Sequence, residues 1–224
     1  MATRKNVVSL GKIGTENLAF LVPVLGLLLA VFILQILYRQ GIILLWVNKH
    51  NSPLADVFFK YATHLGDGIL CVVVGLLHLL KSYRKGISIL IIFAVSGIIS
   101  SIIKALADVP RPAAYFEKSL SLLHRVDGVA WYYNHSFPSG HTNSAFALYF
   151  LLALWSKNHV SKFAFLLLAI SVAYSRMYLL QHFLIDVTFG ALLGTICSYL
   201  LYFGLENYWS NHPKPWLDKS VLRS

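Results

Sequence analysis

The stretch GISILIIFAVSGIISSII (Gly86–Ile103) runs directly into KALADVPRP (Lys104–Pro112). Its first part carries no charge. A helix crossing the hydrocarbon core of a bilayer needs about 20 apolar residues, and a helix satisfies its own backbone hydrogen bonds there. The run is predicted to be a transmembrane helix. Its second part supplies Lys104, Asp108 and Arg111, while Pro110 and Pro112 should end the helix and fix the direction of Arg111. Lys104 and Arg111 lie about two helical turns apart if the helix persists between them. Two such cations can bracket a phosphate, since arginine offers a bidentate fork and lysine a mobile point charge. Taken alone, the pair also fits basic side chains snorkelling at a helix end.

Leu18–Tyr38 and Val187–Leu205 are two further uncharged runs of spanning length. Gly68–Leu80, Asn143–Trp155 and Phe163–Ser175 are shorter and read as membrane helices packed inside a bundle, which brings the expected number of spans to about six. Composition agrees: 12% of residues are charged, against about 25% in soluble domains, and mean hydropathy is +0.66. Much of the surface must therefore meet lipid. With that hydropathy, the net charge of +10 points to a membrane surface rather than nucleic acid. Cys71 and Cys197 sit in apolar runs and read as packing thiols.

Arg4, Lys5 and Lys12 precede the first run. It is too long for a signal peptide and no small-x-small cleavage site follows, so an uncleaved first span is expected. With six spans, these residues fall on one side with Lys81, Arg84, Lys85, Lys157, Lys162, Lys214, Lys219 and Arg223. The positive-inside rule makes that side cytoplasmic, with both termini inside. The expected fold is an all-α, polytopic membrane bundle forming a single domain over residues 1–224, with a flexible tail over 207–224. Ser52–Gly66 has apolar residues at helical spacing and fits either an amphipathic helix on the membrane face or a packed loop helix.

Two more polar clusters stand beside apolar runs. Pro138-Ser139-Gly140-His141 marks a tight turn before a helix start, where free N–H groups and the helix dipole attract phosphate and glycine lets the backbone approach an anion. An ordinary capped helix start would look the same. Ser175-Arg176 is followed by His182 and Asp186. Four residues apart, the latter two would share one helix face. The carboxylate could then fix the imidazole tautomer and leave the other nitrogen free to attack, with Arg176 as a further phosphate clamp. A buried structural His–Asp pair is the alternative. Chain parity places all three clusters at one end of the bundle, away from the cytoplasm.

Lys-x6-Arg-Pro, Pro-Ser-Gly-His and Ser-Arg-x5-His-x3-Asp together resemble the three-part signature of the type 2 phosphatidic acid phosphatases, a superfamily that includes vanadium haloperoxidases and soluble acid phosphatases. Here the signature spans residues 104–186 with no departure. The resemblance implies that Lys104, Arg111 and Arg176 bind phosphoryl oxygens, helped by Ser139 and the Gly140 amide. It implies His182 as nucleophile through a phosphohistidine, Asp186 as its orienting partner and His141 as proton donor to the leaving group. No metal or other cofactor is implied. The alternatives are a haloperoxidase-like enzyme and a catalytically silent membrane relative or transporter.

The expected partner is a lipid phosphate in the bilayer: a polyprenyl diphosphate, phosphatidylglycerol phosphate, phosphatidic acid or lipid A phosphate. The short chain with six spans is similar to bacterial undecaprenyl diphosphate phosphatases of this family, which implies an inner membrane enzyme acting on the outside. Residues 113–137 should cover the site. Their aromatics fit an interfacial belt or an acyl-chain entrance, and His124 and Arg125 either contact a second phosphate or are solvated loop residues.

Overall fold

The computed structural model describes residues 9–222, and their regular elements are helical. The short α1 (Leu10–Glu16) is joined through Asn17 to α2 (Leu18–Leu37). Next come α3 (Ile42–Lys49), α4 (Pro53–Ala62), a 3-10 turn at Thr63–Gly66, and α5 (Gly68–Leu79). Then follow α6 (Tyr83–Ala107), the single turn α7 (Pro112–Tyr115), an irregular crossing with a 3-10 turn at Glu117–Leu122, α8 (Gly140–Trp155), α9 (His159–Tyr178) and α10 (Leu184–Asn211).

Each of the six expected runs is a helix. By length and composition, α2, α6, α9 and α10 can each cross a membrane. A fifth span forms if α4 with its turn is joined to α5 across their 54° bend. At 16 residues α8 is shorter, and apart from its first turn it is apolar nearly all round, the pattern of a fully enclosed helix. It lies at the centre, against α10, α9 and α6. Phe146 and Phe150 pack with Phe20, Leu166 and Val172, while Leu148 and Leu151 pack with Cys71, Ile89 and Ile92. Both cysteines are free and buried.

The α8–α10 contact depends on two glycines one helical turn apart. A Cβ at Gly190 would stand 2.6 Å from the Ser139 carbonyl oxygen, and one at Gly194 only 2.3 Å from that of Asn143. Small residues at these positions let the two backbones nearly touch. The contact brings the start of α8 against the start of α10.

The basic residues Lys12, Lys81, Arg84, Lys85, Lys157, Lys214 and Lys219 share one end of the bundle by the alternation of the helices. Arg4, Lys5 and Arg223 lie outside the described residues. Lys162 is not in the 156–158 loop. It lies inside α9, 4% exposed, where its Nζ donates to the Glu16 carbonyl and to Asn17 Oδ1, binding α1 to the bundle. Within residues 207–222, α10 continues to Asn211, Leu217 is buried, and the Tyr83 and Leu222 amides donate to the Lys219 and Leu80 carbonyls. The Trp209 and Leu217 side chains give this polar segment an apolar anchor.

Residues 52–66 pack against the bundle on one face only. Phe59 packs against Tyr174 and Tyr178 of α9. Leu54, Val57, Phe58 and Tyr61 stay exposed on the other face.

Candidate active site

At the far end of the bundle, the loop from α9 to α10 folds back on itself. The amides of Gln181 and His182 both donate to the Arg176 carbonyl, at 2.9 and 3.1 Å, around Leu180 in left-handed conformation (φ 56°). The spacing argument put His182 and Asp186 on one helix face, and the structure corrects this. Because α10 begins at Leu184, His182 stands in the loop and Asp186 in the first helical turn. Asp186 Oδ2 accepts the Phe183 amide at 2.8 Å, so the carboxylate serves the helix start, where a negative charge is favoured. His182 Nδ1 lies 3.5 Å from the same oxygen.

A third residue joins them. Ser136 Oγ donates to Asp186 Oδ2 at 2.5 Å and lies 3.4 Å from His182 Nδ1. All three side chains are buried. Burial, together with the charges of Arg176, Arg111 and Lys104, holds the His182 imidazole well below the usual histidine range. The ring is therefore neutral near pH 7. Since Nδ1 faces the carboxylate and hydroxyl, Nε2 is the nitrogen left for chemistry.

The cations come from three elements. Lys104 lies in the last turn of α6, which closes at Ala107 through Asp108 in left-handed conformation, before the prolines expected to end it. Arg111 caps α7, with Pro112 in the first helical position. Lys104 Nζ donates to the His135 carbonyl at 2.8 Å and Arg111 Nε to the Asn134 carbonyl at 2.9 Å. The backbone adds Arg111 N to the Tyr133 carbonyl and Ser136 N to the Val109 carbonyl. Thus the stretch after Lys104 grips the stretch before Pro138. Arg111 Nη1 also reaches the Gln181 carbonyl at 3.2 Å, and its guanidinium stacks over Tyr132. Arg176 is 8% exposed; its Nη1 donates to Thr63 Oγ1 at 2.8 Å, while its Nε is buried without a hydrogen-bond partner among the described residues.

Ser139 caps α8, accepting from the Thr142 amide and hydroxyl, and its own amide donates to the Asp186 carbonyl at 3.0 Å. That amide is thereby used in joining α8 to α10. The Gly140 and His141 amides lie in the first turn, where the helix offers no acceptor, and a Cβ at Gly140 would meet nothing within 4 Å. His141 is near enough for its charge to act on His182. Its Nε2 lies 3.8 Å from Asp67 Oδ1, and the other oxygen, Asp67 Oδ2, is 3.1 Å from His64 Nδ1.

The eight residues singled out in the sequence therefore meet at one end of the bundle. Sequence reasoning missed Ser136, Gln181, Thr63, His64 and Asp67. Ser136 is two residues before Pro138 and reads as ordinary loop. Asp67 and His64 flank Gly66 between two apolar stretches, a polar interruption that was the one available signal.

The segment after α7 covers this end. Asn48 exchanges hydrogen bonds with the His124 backbone, His124 Nε2 meets Asp56 at 2.9 Å, and Gln181 Nε2 donates to the Ala130 carbonyl at 2.9 Å. Arg125 stacks over Trp131. Of these two residues His124 is committed to holding the cover, whereas Arg125 stays exposed, as a solvated loop residue would. Among the described residues no group of three or more His, Cys, Asp or Glu side chains is placed to hold a metal ion.

Residues 85–209 match the family model described as the PAP2 superfamily. The chain is 31% identical over 161 residues to the bacitracin transport permease protein BcrC of Bacillus licheniformis, covering 70% of this chain and 74% of that one. Among solved structures, it resembles LpxE of Aquifex aeolicus with TM-score 0.65 and 27% identity, covering 74% of this chain and 95% of the other. It also shares its fold with a transmembrane PAP2-type phosphatidylglycerolphosphate phosphatase from Bacillus subtilis, with TM-score 0.57, 22% identity and coverage of 85% and 97%.

Proposed function

Given that the chain belongs to the PAP2 superfamily, we propose that it is an integral membrane phosphatase that hydrolyses a phosphomonoester or diphosphate on a lipid head group. The observation carrying this reading is a buried imidazole braced through Nδ1 by Asp186 and Ser136, with Lys104, Arg111 and Arg176 near enough for their charges to act on it. Held below the usual histidine range, the imidazole keeps its Nε2 lone pair available, and the cations suit the charge that phosphoryl transfer spreads over the nonbridging oxygens.

In the proposed reaction His182 Nε2 bonds to phosphorus as the bond to the lipid-side oxygen breaks. That oxygen takes its proton from His141. Asp186 and Ser136 hold the imidazolium that results, through Nδ1. A water then attacks the phosphohistidine and gives a proton to His141, and phosphate leaves as the P–N bond breaks. Ser139, through its hydroxyl, and the Gly140 amide assist the cations in holding the phosphoryl group. The positive donor set supplies the charge stabilisation that a metal would otherwise provide, so the reaction is proposed to be metal-independent.

We place this end of the bundle on the outer side of a bacterial inner membrane, with both termini inside, because the opposite end gathers the larger number of basic residues outside the site. The substrate is then a lipid of the outer leaflet, and a polyprenyl diphosphate is favoured among the four candidates. A transporter, the activity in the printed name of the Bacillus licheniformis relative, would need a polar path through the bundle. Beneath the first turn of α8, Ala145–Leu151 is buried and almost wholly apolar, which favours hydrolysis at one end. A phosphate-release panel over the four lipid classes, with purified protein in detergent micelles, tests the reading. Absence of phosphate from every lipid would refute it.

A further inference from the structure

Three residues that the signature does not contain reach the site from the bend between α4 and α5. Thr63 Oγ1 accepts from Arg176, and Gly66 lies so close to α8 that a Cβ there would stand 2.6 Å from the His141 carbonyl oxygen. Asp67 caps α5 by position, yet its side chain makes no capping hydrogen bond. An aspartate at a helix start ordinarily spends its carboxylate on the first-turn amides. Here one oxygen faces His64 Nδ1 at 3.1 Å and the other faces His141 Nε2 at 3.8 Å. The Asp67 carboxylate thus stands between two imidazoles, one on its own turn and one on α8.

We propose that this bend is a fourth component of the active site, in which Asp67, steadied by His64, positions the His141 imidazole and sustains its protonated form for the leaving-group step. The inference rests on the phosphatase reading above. Asp67 takes the Nε2 side of His141, so Nδ1 carries the proton that goes to the departing lipid oxygen. When the water that cleaves the phosphohistidine returns a proton to Nδ1, the imidazolium is restored and Asp67 has remained an anion throughout. The other charged and titratable groups acting at this point are Arg176 from α9 and Arg111 from the start of α7, with the Cys71 thiol on α5 beside Asp67. Burial, both arginines and any charge on His64 oppose a positive charge on His141. Asp67 is the anion that offsets them.

The test compares two probes that differ in leaving group: dioctanoyl phosphatidic acid, which departs as an alkoxide and needs a proton, and p-nitrophenyl phosphate, which does not. Asp67→Asn and Asp67→Ser both keep a residue suited to starting α5, so either can carry the measurement if the other folds poorly. The expected result is a fall in kcat/KM of about tenfold to a hundredfold on the phosphatidic acid, the scale of impaired general acid catalysis, against less than about threefold on the aryl ester. The basic limb of the phosphatidic acid profile should also move to lower pH, because the imidazolium loses its counter-charge. His64→Gln should show the same selectivity at smaller size. An equal loss on both probes, or no loss on phosphatidic acid, overturns the proposal. A wild-type protein that releases phosphate from neither probe nor any of the four lipid classes strikes the phosphatase reading itself, and this inference falls with it.

Discussion

Ser136 Oγ donates to Asp186 Oδ2 at 2.5 Å, whereas His182 Nδ1 stands 3.5 Å from that same oxygen. The serine lies between carboxylate and imidazole as a brace, 3.4 Å from the ring nitrogen. The orienting unit is accordingly three residues rather than two, and its members come from the cover, the α9–α10 loop and the first turn of α10.

Ser136→Ala should therefore lower kcat while leaving KM nearly unchanged. A hydrogen bond to a charged group contributes about 1.5–3 kcal/mol, which corresponds to roughly 10- to 100-fold in rate. Asp186→Asn should cost more, because it also removes the negative charge facing the imidazolium. Steady-state kinetics of the two variants checks the order; a Ser136→Ala protein with wild-type kcat would remove the brace from the mechanism.

His182→Ala should abolish turnover, by at least about a thousandfold as expected for loss of a nucleophile, without unfolding the protein. Asp186 keeps its bonds to Ser136 and the Phe183 amide in that variant. Vanadate, which mimics pentacoordinate phosphorus, should inhibit the wild type competitively, and EDTA should have no effect. Phosphate release measured with each reagent decides the matter, and full activity after the substitution would end the nucleophile assignment.

Gly194→Ala should destabilise the bundle. The new Cβ would meet the Asn143 carbonyl oxygen at 2.3 Å and the Ala147 amide nitrogen at 2.9 Å, both backbone atoms that cannot rotate away. Overpacking of this kind costs about 1–3 kcal/mol, and separating α8 from α10 should lower kcat as well. Gly97→Ala is the control: nothing lies within 4 Å of its Cβ, so a neutral or slightly stabilising effect is expected. Thermal unfolding in detergent separates the two.

Stability should fall as pH drops below about 6.5, the ordinary histidine value. The folded state holds His182 well below that value. Below about 6.5 the unfolded chain binds a proton that the native chain refuses, and the native state loses up to about 1.4 kcal/mol per pH unit. The contribution is fully present above that pH and disappears downward through the window. A His182→Asn protein should show a shallower acid loss in melting temperature; an identical slope would assign the effect to other groups.

Hydropathy is a local, additive property of a segment, so each of the six helical runs and the alternation of their ends could be read from the chain alone. The clustering of Lys104, Arg111, Ser139, Gly140, His141, Arg176, His182 and Asp186 at one end followed from that alternation and from motif spacing. Spacing could not show that His182 leaves the helix, because an i, i+4 approach is made equally well by a loop folding onto a first helical turn. Nor could it bring Ser136 to Asp186, Thr63 to Arg176 or Asp67 to His141. Those pairs depend on how a bent helix and a covering loop settle against the bundle, and that arrangement is decided by packing, chiefly by the absence of side chains at Gly66, Gly190 and Gly194 where backbones cross.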